Sequence, residues 1–263
     1  MNLKNKYGDY ALITGASSGI GESFARRLAE LGMNLVLIAR RKERLDNLKR
    51  EIQSKYNVDI INIELDLTEE NIIEKISKHI ENIEIGILVN NAGYGSTGYF
   101  HSNNPKNEAQ MVKLNCVVPT ILTHHFIRPM VEKRKGAVIF LGSVVAVQPT
   151  PLMSTYSATK VFNAYLGESL WYEMKRYNVD VLNVNPGGTV TEFQRVANVT
   201  TGPFARRPEQ VVETALNALG KKPSVIDGFP NKTTLLLSKI LPKKLVLNLT
   251  GKVVETIYKK GNS

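Results

Sequence analysis

Only one cysteine, Cys116, occurs in 263 residues. No internal disulfide can form, so the fold must rest on packing. Cys116 lies in an apolar helical pattern, which marks it as a buried structural thiol rather than a reactive one. No uninterrupted apolar run approaches the roughly 18 residues of a membrane span. Met1 to Tyr10 is polar and lacks the apolar stretch of a secretion signal. These features lead us to expect a cytoplasmic setting. Linkers rich in Pro, Gly and Ser are missing, as are repeats and low-complexity tracts, so one domain over residues 1–263 is expected. Acidic residues are scarce: 24 Asp and Glu face 34 Lys and Arg, a formal charge of +10. The deficit concentrates from Lys221 onward, where nine lysines stand against Asp227 and Glu255. No basic–aromatic interleaving accompanies that charge, so no nucleic-acid partner is expected. His124 and His125 have no acid or cysteine at ligand spacing, so no metal site is expected.

What is present reads as alternating strands and helices. Tyr10–Ile13 is a short buried strand leading into Thr14-Gly15-Ala16-Ser17-Ser18-Gly19-Ile20-Gly21 and then a helical pattern through Phe24, Leu28 and Leu31. Strand, glycine-rich turn and helix form a dinucleotide-binding arrangement, in which the glycines let a pyrophosphate approach the helix N-terminus. Leu35–Ala39 is the next strand. An acid at its end would suit the free ribose hydroxyls of NAD(H). Arg40 and Arg41 stand there instead, and guanidinium groups suit a ribose 2′-phosphate, so NADP(H) is expected over NAD(H). Asp66, with Leu67 after it, closes a third strand where a carboxylate can accept from an adenine amino group. Thr68 reads as the N-cap of the following helix. Ile85–Val89 runs into Asn90-Asn91-Ala92-Gly93, small and amide residues suited to packing along a cofactor. Glu108–Lys133 is a long helical stretch containing Asn115. Ala137–Leu141 leads to Ser143, and Ser154–Tyr177 is a helix. Val179–Val184 ends in Asn185-Pro186-Gly187-Gly188-Thr189-Val190-Thr191. Val190–Arg207 reads as a loop that could cover a pocket. Pro208–Leu219 is a helix, and Pro223–Ile226 a short seventh strand. This alternation predicts an α/β fold, a doubly wound parallel sheet with helices on both faces and ligands at the strands' C-terminal ends.

On the 154–177 helix, Tyr156 and Lys160 stand at i and i+4, on one face. An ammonium beside a phenol lowers its pKa, and a phenol so tuned can pass a proton to or from a substrate oxygen. Val145, Met153 and Phe193 suggest an apolar substrate pocket.

Together these motifs resemble the short-chain dehydrogenase/reductase family, from Tyr10 to about Leu219. The match is to its glycine motif, its Asn-Asn-Ala-Gly motif, its Asn115, Ser143, Tyr156 and Lys160 tetrad, and Pro186-Gly187 followed by Thr191. The tail resembles a subgroup that includes acyl-lipid and steroid ketoreductases. The resemblance implies hydride transfer between C4 of a nicotinamide and a carbonyl or alcohol carbon, and with the apolar pocket residues the expected partner is a small apolar carbonyl or alcohol substrate. It makes Tyr156 the general acid in reduction and has Lys160 lower the tyrosine's pKa and hold the nicotinamide ribose. Ser143 would bond the substrate oxygen, and Asn115 would hold a water linking Lys160 to solvent. A cofactor-binding sensor or scaffold without turnover is the alternative, and the intact tetrad argues against it.

Two surfaces carry expectations of partners. The Asn115 and Tyr156 helices are long and apolar on more than one side, and family members commonly pair through them, so a homodimer or homotetramer is expected. From about residue 229, Leu235-Leu236-Leu237, Ile240-Leu241 and Leu245-Val246-Leu247 alternate with Lys239, Lys243 and Lys244, broken by Pro242. That extension could meet an anionic membrane surface or an acidic carrier protein, or simply cap the core.

Overall fold

Runs such as Leu35-Val36-Leu37-Ile38 are apolar at every position, not at alternate ones. Such strands need cover on both faces. The computed structural model, which describes residues 3–197, 205–229, 231 and 240–261, supplies that cover. Among the described residues, seven strands form one parallel sheet: β1 Tyr10–Thr14, β2 Asn34–Ala39, β3 Ile60–Glu64, β4 Ile85–Asn90, β5 Gly136–Leu141, β6 Val179–Asn185 and β7 Ser224–Ile226. Their order is β3-β2-β1-β4-β5-β6-β7. The chain reverses its winding between β1 and β4, and a crevice opens there at the strands' C-terminal ends. The expected α/β doubly wound architecture is therefore what the chain adopts.

The period-2 geometry of the strands divides the core into two layers. Ala11, Ile13, Leu35 and Leu37 face one side with Phe24, Leu28, Leu45 and Val212. Leu12, Val36, Ile38, Leu88 and Phe140 face the other with Ile76, Leu122 and Phe126. Among the described residues the helices are α1 Leu3–Tyr7, α2 Gly19–Glu30, α3 Lys42–Gln53, α4 Ile72–Ser77, α5 Pro105–Val112, α6 Val118–Lys133, α7 Ser154–Met174, α8 Phe193–Ala197, α9 Pro208–Ala218 and α10 Lys243–Gly261, and α2, α3, α4, α6 and α9 present the core residues just named.

Several elements differ from expectation. Thr68 does not cap a helix: its backbone N–H and its hydroxyl both donate to Asp66 Oδ1, at 2.9 and 2.7 Å. The carboxylate two residues earlier competes for the groups a cap would use. The helix begins only at Ile72, after Asn71 in a left-handed conformation. The expected 108–133 helix is α5 and α6 joined through a wide π-helical turn, Lys113–Val117, that contains Asn115. The expected loop after β6 contains the short helix α8. Pro242 stands immediately before α10, and the first of the two expected short helices falls mostly outside the described residues. Leu235–Leu237 and Lys239, part of the basic leucine-rich tail, lie outside the described residues, as do residues 198–204 of the expected cover.

Candidate active site

A groove of about 860 Å³ runs across the C-terminal ends of the strands. Its floor begins at the turn between β1 and α2. Gly19 there has φ +58, and a Cβ on it would stand 2.9 Å from Thr191 Cγ2. Gly21 packs so closely that a Cβ would collide with the Gly15 carbonyl and stand 2.5 Å from Asn91 Nδ2. Glycine is required at both positions. The open concavity this leaves at the α2 N-terminus fits a dinucleotide phosphate. Gly15, Ser17, Ser18, Gly19 and Ile20 line the groove at this end. Thr14 and Gly21 stand behind it. The Thr14 hydroxyl donates to the Val89 carbonyl and accepts from the N–H groups of Asn91 and Ala92, at 3.0 Å each. Asn91 turns its amide inward, onto the Thr14 carbonyl at 2.8 Å. Asn91, Ala92 and Gly93 line the groove, with Thr14 and Gly21 directly behind its wall.

The basic end holds Arg40, Arg41, Asp66 and Leu67. The Arg40 side chain is 78% exposed, in a loose 3.7 Å pair with Asp66. Arg41 is committed. Its Nη2 donates to Ser17 Oγ at 3.0 Å and Ser18 Oγ at 2.8 Å, and its Nη1 meets Glu192 at 2.6 Å. Arg44 reaches the other oxygen of Glu192 at 2.8 Å. Both arginines hold the Glu192 carboxyl down at about 2. A carboxylate between these arginines has no local sequence signal, and Glu192 lies about 150 residues from them.

At the far end the tetrad residues converge. Tyr156 and Lys160 are buried on α7 and line the groove with Ser143. The Ser143 N–H donates to Asn185 Oδ1 at 3.1 Å. Asn185 therefore positions Ser143, and its place at the end of a sixth strand was the only hint of that role in the sequence. The Lys160 ammonium donates to the Leu141 carbonyl at 2.7 Å and lies 5.7 Å from the Tyr156 ring centre. Burial pushes the Tyr156 phenol up to about 12, against a smaller lowering by its hydrogen bond with Ser143. Burial likewise pulls Lys160 down to about 8. The expected lowering of the tyrosine by the lysine is not what this arrangement gives: the ammonium is turned to the Leu141 carbonyl, and burial raises the phenol. Asn115 sits below the groove. Its amide donates to the Tyr94 carbonyl at 2.9 Å and Thr159 Oγ1 at 3.0 Å, and its oxygen accepts from the Tyr94 N–H at 3.2 Å. The wide turn between α5 and α6 aims this side chain at α7, and it clamps the 93–95 loop to that helix.

Val145, Met153 and Phe193 line the same groove, as do Pro186, Gly187, Thr189 and Thr191. Phe193 leans on Tyr156 with ring centres 5.3 Å apart. Among the described residues, no cluster of three or more His, Cys, Asp or Glu could hold a metal.

A family model described as short chain dehydrogenase matches residues 9–201. The chain is 31% identical over 242 residues to a 7β-hydroxysteroid dehydrogenase of Mediterraneibacter gnavus, covering 89% of this chain and 92% of that one. It is 34% identical over 217 residues to the very-long-chain 3-oxoacyl-CoA reductase of Homo sapiens, covering 81% and 69%. A solved structure from work on 7β-hydroxysteroid dehydrogenase stereoselectivity superposes with TM-score 0.88 at 29% identity, covering 95% and 99%. A short-chain dehydrogenase from Sphingobium yanoikuyae in complex with NADPH gives 0.79 at 31%, covering 88% and 93%. The chain belongs to the short-chain dehydrogenase/reductase family. It is an oxidoreductase of the carbonyl and alcohol class.

Proposed function

We propose that the protein is an NADPH-dependent reductase of a bulky, apolar carbonyl compound. The observation that carries this reading is the single groove joining Arg40 at one end to Ser143, Tyr156 and Lys160 at the other. When bound, the dinucleotide would supply the hydride. Ser17, Ser18 and the α2 N-terminus would hold its pyrophosphate, Arg40 and Arg41 its 2′-phosphate, and Asp66 its adenine. The remaining work falls to the chain. Tyr156, protonated at pH 7 as any phenol is and further above its ordinary value through burial, holds the proton that the product oxygen takes up. Ser143 steadies that oxygen as charge develops on it. Lys160 swings from Leu141 toward the ribose and the phenol, where its charge eases proton release. Asn115 keeps the 93–95 loop against α7 and, through Thr159, the helix turn carrying Tyr156 in register. Val145, Met153 and Phe193 exclude water from the substrate. The relatives' names point to steroids or very long acyl chains as the size class. Oxidation of NADPH on adding bulky apolar ketones tests the reading. NADPH binding with no turnover across such a panel would favour a sensor or scaffold.

The partner surfaces support two further parts of the reading. Val117 and Ile121 on one side, and Phe162, Tyr165 and Tyr172 on α7, are exposed at helical spacing. Exposed apolar side chains in such a group support our proposal of a self-association face. Light scattering at micromolar protein should give a dimer or tetramer, and a monomer would refute it.

On α10, Val246 is buried and Tyr99 donates to Glu255 at 3.0 Å, so the helix does pack on the body. Leu241, Leu245, Leu249 and Val253 nevertheless remain exposed at four-residue spacing, beside exposed Lys243, Lys244 and Lys252. Gly251 rests against Pro151, two residues from Met153, so this stripe borders the substrate end of the groove. We propose that it docks on an anionic bilayer surface, from which an apolar substrate would enter, and that the protein is otherwise cytoplasmic. Co-sedimentation with liposomes should require anionic lipid and fall with salt or on Lys243→Glu/Lys244→Glu. Failure to bind either kind of liposome would leave α10 a purely structural role. Among the described residues, no helix is long and apolar enough to cross a membrane.

A further inference from the structure

Glu192 and Phe193 are neighbours in sequence, yet they engage opposite ends of the groove. Glu192 lies between Arg41 and Arg44 at 2.6 and 2.8 Å. Phe193 covers Tyr156. Every nitrogen of the Arg41 guanidinium is already engaged: Nε and Nη2 on Ser17 and Ser18, Nη1 on Glu192. Four of its five N–H donors are used, so a ribose 2′-phosphate can pair with Arg41 through two bonds only by taking the place of one of these partners. The two serines are fixed by the turn before α2, whereas Glu192 sits on the segment that crosses the groove. That segment has a firm near root. Thr189 pairs with Arg206, and the Arg206 guanidinium holds the fully buried Asp227 through two bonds of 3.0 and 3.1 Å. Movement of Glu192 must then be taken up beyond Thr189, and Phe193 is the next residue along.

We infer that Glu192 is a specificity-determining residue. It occupies from within the chain the arginines that a 2′-phosphate would take, and a ligand bearing that phosphate displaces it and lifts Phe193 from Tyr156. This rests on the reading of Arg40–Arg41 as the 2′-phosphate site. A carboxylate is a fair stand-in for phosphate, since both accept in-plane pairs of guanidinium bonds. A dinucleotide without the 2′-phosphate offers nothing to pull Arg41 away, so the cover stays down. The clasp therefore makes uncovering of the tyrosine a response to the cofactor's adenosine half.

The test uses half-ligands that cannot reach the nicotinamide end: adenosine 2′,5′-bisphosphate, and AMP as the phosphate-free control. On the full chain, the bisphosphate should speed amide exchange over residues 191–197, and AMP should not. In Glu192→Gln the same amides should exchange faster without ligand. That variant should bind the bisphosphate about 2- to 5-fold more tightly, the scale of one exposed ion pair, with AMP affinity unchanged. Unaltered bisphosphate affinity in Glu192→Gln, or equal effects of the two probes on residues 191–197, overturns the inference if Arg41→Ala still weakens bisphosphate binding. If Arg41→Ala and Arg40→Ala both leave it unweakened, the 2′-phosphate reading fails first, and the clasp with it.

Discussion

Tyr156→Phe should lower kcat/KM for carbonyl reduction by about 10²–10⁴-fold, the range general acid catalysis contributes. NADPH affinity should stay close to that of the parent chain. Tyr156 is buried and hydrogen-bonded to Ser143, its phenol is protonated at pH 7, and burial leaves an acceptor inside the groove as the place for its proton to go. The ring itself packs under Phe193 and over Lys160, contacts that phenylalanine keeps. Loss of one hydroxyl hydrogen bond costs about 1 kcal/mol of stability, too little to unfold a domain of this size. A small fall in melting temperature with a large fall in turnover is the expected pair. Substantial residual reduction by a folded variant would remove Tyr156 from the proton-donor role.

Arg40→Asp should lower the NADPH/NADH ratio of kcat/KM by about 10- to 100-fold. A charge-assisted bond to phosphate is worth about 1.5–3 kcal/mol, and the new carboxylate adds repulsion. Arg40 is the better first choice than Arg41. Its guanidinium is exposed and only loosely paired with Asp66, so its removal disturbs little else. Arg41 also braces the Ser17–Ser18 turn, and its loss would weaken pyrophosphate binding for both cofactors. NADH kinetics should therefore move little in Arg40→Asp and fall in Arg41→Ala. An unchanged cofactor ratio in Arg40→Asp would count against the 2′-phosphate site.

The strands were legible because burial on both faces leaves an uninterrupted apolar run, a signal that survives without neighbours. Leu35–Ala39 and Ala137–Leu141 were found to within a residue for that reason. Tyr156 and Lys160 were legible as a pair because helical spacing alone stacks them. Their protonation was not. The lysine's carbonyl partner, Leu141, lies 19 residues away on a strand, and desolvation depends on everything packed around the pair. Thr68 misled because a local carboxylate, Asp66, took the groups that a helix cap would use. Asn115 could be matched to its tetrad position, but not the wide turn that aims it at α7. The short α8 helix has five residues and weak periodicity, below what pattern can register. Glu192 was silent for the same reason as Asn185: its meaning comes from partners that only the fold brings near.

The central claim is hydride delivery from NADPH to a carbonyl carbon beside Tyr156. Its most direct measurement is label transfer from NADPH deuterated on one face of C4, with a bulky apolar ketone as substrate. One C4 face should deliver its deuterium to the carbinol carbon of a single alcohol stereoisomer, and Tyr156→Phe should lose this transfer while still binding the cofactor. NADPH that binds but never passes its label to any ketone, or label that appears equally with Tyr156→Phe, would contradict it.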